Sequence, residues 1–270
     1  SRMKKIIGLA LLLASQLSTA ALNDDIHLRG QWTQGGMVLG VAPAGSQVEL
    51  NGEPIMVSES GNFVVGFGRD EKGPAILHVT HQGESWQQSF PISQRDYKIQ
   101  DIHGISQKIM KPNPANVQRS KTEAALVYTA RQTKREGLDF LLGFKWPAKG
   151  PITGVYGSQR IYNDVPGRPH FGLDIAGPVG TPIYAPAAGV VTLTHDDMFY
   201  SGGTLIIDHG MGISSTMIHL SKILVKEGQQ VKTGDLIAEM GKSGRATGPH
   251  LDWRINWFNV RLDPQLVVSE

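Results

Sequence analysis

The chain has 270 residues, enough for one large or two modest domains, and 40% of them are hydrophobic, which suits a packed core. It has no cysteine, which excludes a disulfide framework, a thiol nucleophile and a cysteine-bound structural zinc. Lys and Arg number 26 against 24 Asp and Glu; without Arg2, Lys4 and Lys5 the remaining 23 basic residues fall one short of the acids, so the strongly basic patch that nucleic-acid binding wants is not expected.

Met3-Lys4-Lys5 is a short basic stretch, Ile6 to Leu13 is apolar but too short to span a bilayer, and Ser18-Thr19-Ala20 fits a small-residue cleavage site. Residues 1–21 therefore read as a signal peptide. The expectation is a periplasmic or secreted protein with no transmembrane segment in the mature chain.

Residues 22–93 read as short strands separated by turn residues. Val48-Glu49-Leu50 alternates, Asn51-Gly52 supplies a type I′ turn, and Ile55-Met56-Val57 returns. Phe63, Val65 and Phe67 share a face, as do Ala75, Leu77 and Val79, and a further strand carries Trp86 and Phe90. About seven strands at this spacing predict a small β-sandwich, immunoglobulin-like in outline. His78 and His81, three apart on a strand, face opposite ways and read as surface residues.

Residues 94–143 read as a linker ending in Lys111-Pro112-Asn113-Pro114, then a basic helix capped by Asn116 and stopped near Gly137. Arg119, Lys121, Arg131, Lys134 and Arg135 are assigned to a solvated face. Residues 144–270 return to strand patterns with Gly and Pro punctuation. No strand–helix alternation is present, so an antiparallel sheet is predicted and the fold class is mainly β. Asp208-His209-Gly210 reads as a turn, and His195-Asp196-Asp197 as a solvated loop.

The chemistry-bearing residues lie in this last part. His170 and Asp174 stand four apart in Arg168-Pro169-His170-Phe171-Gly172-Leu173-Asp174, and His250 and Asp252 two apart in Gly248-Pro249-His250-Leu251-Asp252-Trp253. On extended chain each pair shares a face. His219 lies between them, in Ile218-His219-Leu220-Ser221. Catalytic zinc sites take three protein ligands from His, Asp and Glu and leave one position for water, so these residues make a plausible ligand shell for a metal.

The ordered blocks resemble the lysostaphin-type (LytM-like) zinc endopeptidases of peptidoglycan. They run from Gly154-Val155-Tyr156-Gly157 through the two motifs above, Gly180-Thr181-Pro182-Ile183-Tyr184-Ala185, Gly203-Thr204-Leu205-Ile206-Ile207-Asp208-His209-Gly210 and Gly228-Gln229-Gln230-Val231. The resemblance covers roughly residues 144–264. It implies that His170 and Asp174 bind Zn2+ and that His219 and His250 are the catalytic pair, with His250 as general base and His219 as oxyanion stabiliser. It also implies a third ligand at the second His of a His-x-His motif, where this chain has Asp252. Asp is a legitimate ligand for zinc, and shifts preference toward harder ions such as Mn2+. A His/Asp/Asp shell is neutral around a divalent ion, which predicts a more basic metal-bound water and a higher pH optimum. The implied substrates are peptide cross-links of peptidoglycan. Two alternatives stay open: a degenerate relative that binds or regulates other cell-wall enzymes, and a carrier module, for which no Lys stands in a suitable hairpin.

Overall fold

The computed structural model describes residues 22–104 and 113–269. The signal-peptide reading and Lys111-Pro112 lie outside the described residues.

Seven short strands open the described chain: β1 (His27–Gly30), β2 (Met37–Val41), β3 (Gln47–Leu50), β4 (Glu53–Pro54), β5 (Asn62–Gly66), β6 (Ala75–His81) and β7 (Glu84–Phe90). They form two sheets, ordered β1-β2-β5 and β4-β3-β6-β7. Between the sheets lies one apolar cluster that includes Val38, Phe63, Val65, Leu77, Val79 and Trp86. The period of two seen in the sequence supplies that cluster, because alternate residues of each strand face inward. Asn51 and Gly52 both take positive φ, 51° and 81°, as the hairpin turn demands. The returning strand is shorter than predicted. Ile55 still donates to Val48, but Val57 leaves to bridge Phe63 of the other sheet.

The predicted linker is partly structured. β8 (Ile99–Ile102) pairs in parallel with β10 (Gln159–Tyr162), which also pairs with β11 (Val165–Pro166). Helix α1 (Pro114–Ala130) starts three residues before the sequence reading placed it: Asn113, not Asn116, caps it, its side chain accepting from Ala115 N–H, with Pro114 as the first helical residue. The helix stops at Ala130 and not near Gly137, because the following segment is pulled onto the large sheet. Arg135 Nε bonds Asp208 Oδ2 at 2.9 Å, its carbonyl accepts from Met211 N–H, and Phe140 is buried in the second core.

Beyond these come β9 (Ile152–Gly154), β12 (Leu173–Ala176), β13 (Pro182–Tyr184), β14 (Gly189–Met198), β15 (Gly202–Gly210), β16 (Ile213–Ile223), β17 (Gln230–Val231), β18 (Leu236–Met240), β19 (His250–Trp257), β20 (Val260–Leu262) and a final turn of helix, α2 (Pro264–Val267). These ten strands make one sheet, with the path β17-β14-β15-β16-β19-β12-β9 and with β18, β13 and β20 branching from it. All its pairings among the described residues are antiparallel. His195-Asp196-Asp197 is not a loop but the irregular end of β14, with His195 opposite Thr204. Asp208-His209-Gly210 is likewise the end of β15 and not a turn. His209 is fully buried there, its ring nitrogens 2.7 Å from Ala188 O and 2.7 Å from Ser215 Oγ.

The two cores meet. Trp257 packs against both clusters, Arg69 Nε donates to Gly157 O at 2.8 Å, and Arg95 pairs with the buried Asp263 at 2.8 Å.

Candidate active site

The order β16-β19-β12 places the five singled-out residues around the same part of the sheet. Asp174 on β12 and Asp252 on β19 are direct cross-strand partners, and Ile218 on β16 is the partner of Asp252 on the other side. Like charges directly opposite repel, so this rung needs a counter-charge. Both carboxylates also need space. A Cβ at Gly154 would come within 2.2 Å of Asp174 Oδ2, and one at Gly172 within 2.0 Å of Asp252 Oδ1, so glycine at each position makes room for the oxygens.

His170 is not on a strand. It sits before β12, held by hydrogen bonds from its N–H to Ser158 O and from Gly157 N–H to its carbonyl, both at 2.7 Å. Its Nε2 lies 3.2 Å from Asp174 Oδ1 without hydrogen-bond alignment, so both atoms are buried with no hydrogen-bond partner. His170, Asp174 and Asp252 each offer a donor atom, all within 4.8 Å of one another. Two orphaned buried donors converging beside a third fit a divalent ion. Burial lowers the His170 pKa, but the Asp174 and Asp252 carboxylates outweigh it and the net shift is upward.

Asp252 differs from the other two donors. Arg254, two residues on and on the same face, holds both its oxygens, Nε to Oδ1 at 3.1 Å and Nη2 to Oδ2 at 2.9 Å. Burial pushes the Asp252 carboxyl upward, but the guanidinium overrides this and lowers its pKa. The sequence reading missed Arg254, although the period of two that grouped His250 with Asp252 extends to it.

His219 and His250 flank the acids, their ring centroids 4.8 Å apart. His219 Nδ1 lies 2.8 Å from Ser243 O, and His250 Nδ1 2.9 Å from Gly248 O. A carbonyl only accepts, so each Nδ1 carries the proton and each Nε2 is left as the acceptor of the neutral ring. His250 Nε2 lies 3.8 Å from Asp174 Oδ1. Burial lowers the His219 pKa, which favours that neutral form. His219 has φ of +64° beside an irregularity in the β15–β16 pairing, a left-handed conformation uncommon outside glycine. Such backbone strain is retained where it aims a side chain.

These residues line a groove of about 1440 Å³ between the sheet, the end of α1 and the loops around Tyr200 and Arg245.

Residues 168–264 match Peptidase family M23. A crystal structure from Pseudomonas aeruginosa assigned to peptidase M23 is 31% identical, with 93% of this chain and 97% of that one covered at a TM-score of 0.68. Peptidoglycan DD-endopeptidase ShyA of Vibrio cholerae is 46% identical over 87 residues, 32% of this chain and 20% of that protein. The lipoprotein NlpD/LppB homolog of Pseudomonas aeruginosa is 38% identical over 102 residues, 38% of this chain and 32% of that protein. The chain thus spans only a fifth to a third of the length of these two relatives. With the matched segment holding every His and Asp of the site, and a likeness to the Pseudomonas structure that runs almost end to end, the chain belongs to Peptidase family M23.

Proposed function

We propose that the protein is a metallo-endopeptidase that hydrolyses peptide cross-links of bacterial peptidoglycan. The observation that carries this reading is the convergence of two orphaned buried donors, His170 Nε2 and Asp174 Oδ1, beside two histidines whose Nδ1 atoms are pinned to carbonyls. His170, Asp174 and Asp252 would hold the ion, Zn2+ or a harder divalent ion such as Mn2+. The bound ion supplies Lewis acidity toward water and the scissile carbonyl.

The chain's own residues do the rest. His250, whose Nε2 lies 3.8 Å from Asp174 Oδ1, is assigned the part of general base toward water. His219, neutral and fixed through Ser243, faces the same groove and is assigned to the developing oxyanion or the leaving amine. The groove, about 1440 Å³, has room for a stretch of peptide. The name of the ShyA relative supports peptidoglycan as substrate. Export to the periplasm or beyond belongs to the same reading, as does the division into a sandwich module and a catalytic module joined by α1. Among the described residues no helix is long and apolar enough to cross a membrane.

One observation favours a second reading, a protein that binds or regulates wall enzymes without cutting: Asp252 is already held at both oxygens by Arg254. Metal analysis of the purified protein paired with digestion of whole sacculi separates the two. The first reading expects about one divalent ion per chain and soluble peptide fragments. A chain that takes up no Zn2+ or Mn2+ and releases nothing from sacculi would give way to the second.

A further inference from the structure

The groove face of β19 continues past the acids. His250, Asp252, Arg254 and Asn256 follow one another at every second residue, and all four line the groove. β20 sets Arg261 opposite Asn256. Arg131, at the C-terminal end of α1, reaches Thr216 Oγ1 with Nη2 at 2.8 Å, and Thr216 is the cross-strand partner of Arg254. Arg168 closes the group from the loop before His170, and both it and Arg261 lie over the Phe171 ring, at 5.8 Å and 4.4 Å.

Among the described residues only one of these four guanidinium groups has a carboxylate partner, Arg254 with Asp252. Among the described residues Arg131, Arg168 and Arg261 form no ion pair, and the Arg131 Nε is buried without a hydrogen-bond partner. Clustered like charges beside a buried, unsatisfied donor cost free energy unless something anionic completes them. Burial and the neighbouring guanidinium groups together pull Arg131 down to about 9 and Arg261 down to about 10. Both remain cations at neutral pH, held at a cost that an anion would relieve.

We propose that Arg131, Arg168 and Arg261 form a carboxylate-binding subsite for an acidic peptide. The inference rests on the reading that this groove takes peptides. A planar fork of N–H donors matches a carboxylate, and three forks around one wall match it from more than one side. The strand gives the spacing. At about 3.4 Å per residue, Arg254 stands roughly 7 Å beyond Asp252, and the Asn256–Arg261 rung roughly 14 Å beyond it. An extended substrate would therefore present its carboxylate two to four residues from the bond that is cut. The subsite selects for an acidic residue or a free C-terminus at that distance.

The test uses the full chain and fluorescent peptides with a carboxylate three residues from the expected cut, on a side chain in one set and at the C-terminus in another. Each has a carboxamide counterpart. Binding is measured by anisotropy with and without EDTA, so that coordination to a bound ion cannot imitate the subsite, and cleavage is followed separately. The acid should bind at least ten-fold tighter than the amide, and raised salt should narrow the gap. The gap should fall to two-fold or less in Arg131→Gln and Arg261→Gln. Arg168→Gln, on the exposed rim, reduces the gap at little risk to folding, and Arg261→Lys restores it only in part. Acid and amide binding alike would overturn the proposal, as would a preference that survives all three glutamine variants. Acid preference without cleavage of any peptide would leave the subsite standing and remove the peptidase reading instead.

Discussion

Arg254→Leu is the most informative single change, because it separates the charge balance of the site from its packing. Asp252 is 3% exposed and faces Asp174 directly across the β12–β19 pairing. Arg254 bonds both Asp252 oxygens. Removing one partner of a buried pair costs about 3–5 kcal/mol, because the other charge is left without compensation. At about 2–4 °C per kcal/mol for a chain of this size, the melting temperature of metal-free protein should fall by roughly 6–20 °C. A divalent ion supplies the missing counter-charge to the same two carboxylates. Saturating Zn2+ should therefore shrink the gap between variant and parent to about 1 kcal/mol. By the thermodynamic cycle, a recovery of about 3 kcal/mol means the variant binds the ion roughly 150-fold tighter than the parent. Urea unfolding followed by tryptophan fluorescence, in EDTA and in Zn2+, measures both gaps, and calorimetric titration checks the affinity. A gap of the same size in both conditions would refute the reasoning, since Arg254 would then be holding structure and not standing in for the ion.

Three further outcomes follow from the same geometry. Asp252→His should bind Zn2+ at least as tightly as the parent, and Asp252→Ala should lose the ion; retention of metal by Asp252→Ala, read by elemental analysis, would remove Asp252 from the ligand set. His219→Ala should keep its metal while cleavage falls by about 10²–10³-fold, the usual loss for one oxyanion donor, and metal loss would make His219 a ligand. His209 is buried neutral, with its pKa pushed down by burial to about 4 from an ordinary 6.5. The unfolded chain therefore binds the extra proton first as pH falls, and up to about 3 kcal/mol of stability should be lost between about pH 6.5 and pH 4. His209→Gln should flatten that part of the stability–pH curve in urea titrations, and an unchanged slope would assign the loss to other groups.

The parts of the fold that were legible in the sequence are those where one face of a strand is buried. Phe63, Val65, Leu77 and Val79 recur at every second residue and do form the inter-sheet core. β8 was missed for the converse reason. Its residues Ile99 to Ile102 are mostly exposed, so the strand is held by backbone pairing to β10 and leaves no hydrophobic pattern. The early end of α1 was also hidden, since nothing local marks Arg131 as its last turn. The helix stops because Arg131 and Arg135 reach Thr216 and Asp208, partners more than seventy residues away. The solvated basic face assigned to this helix therefore lost Arg131 to the groove and Arg135 to the sheet.

In the candidate site, motif spacing singled out His170, Asp174, His219, His250 and Asp252, which the fold gathers in one groove, but the charge argument built on them changes once Arg254 is included. A divalent ion with one Asp and two neutral His carries a formal charge of +1; replacing one His by Asp brings it to zero. Arg254 sits on that same Asp with two hydrogen bonds and returns the unit to +1. Asp252 and Arg254 together are thus as neutral as the imidazole they replace. The alkaline shift expected from the ligand change alone loses its cause, because the field at a bound water is set by the whole cluster. What survives is the chemistry of the donor atom: a carboxylate oxygen in place of an imidazole nitrogen favours harder ions whatever the net charge. The substitution should therefore be felt in which metal the site prefers and not in the pH optimum.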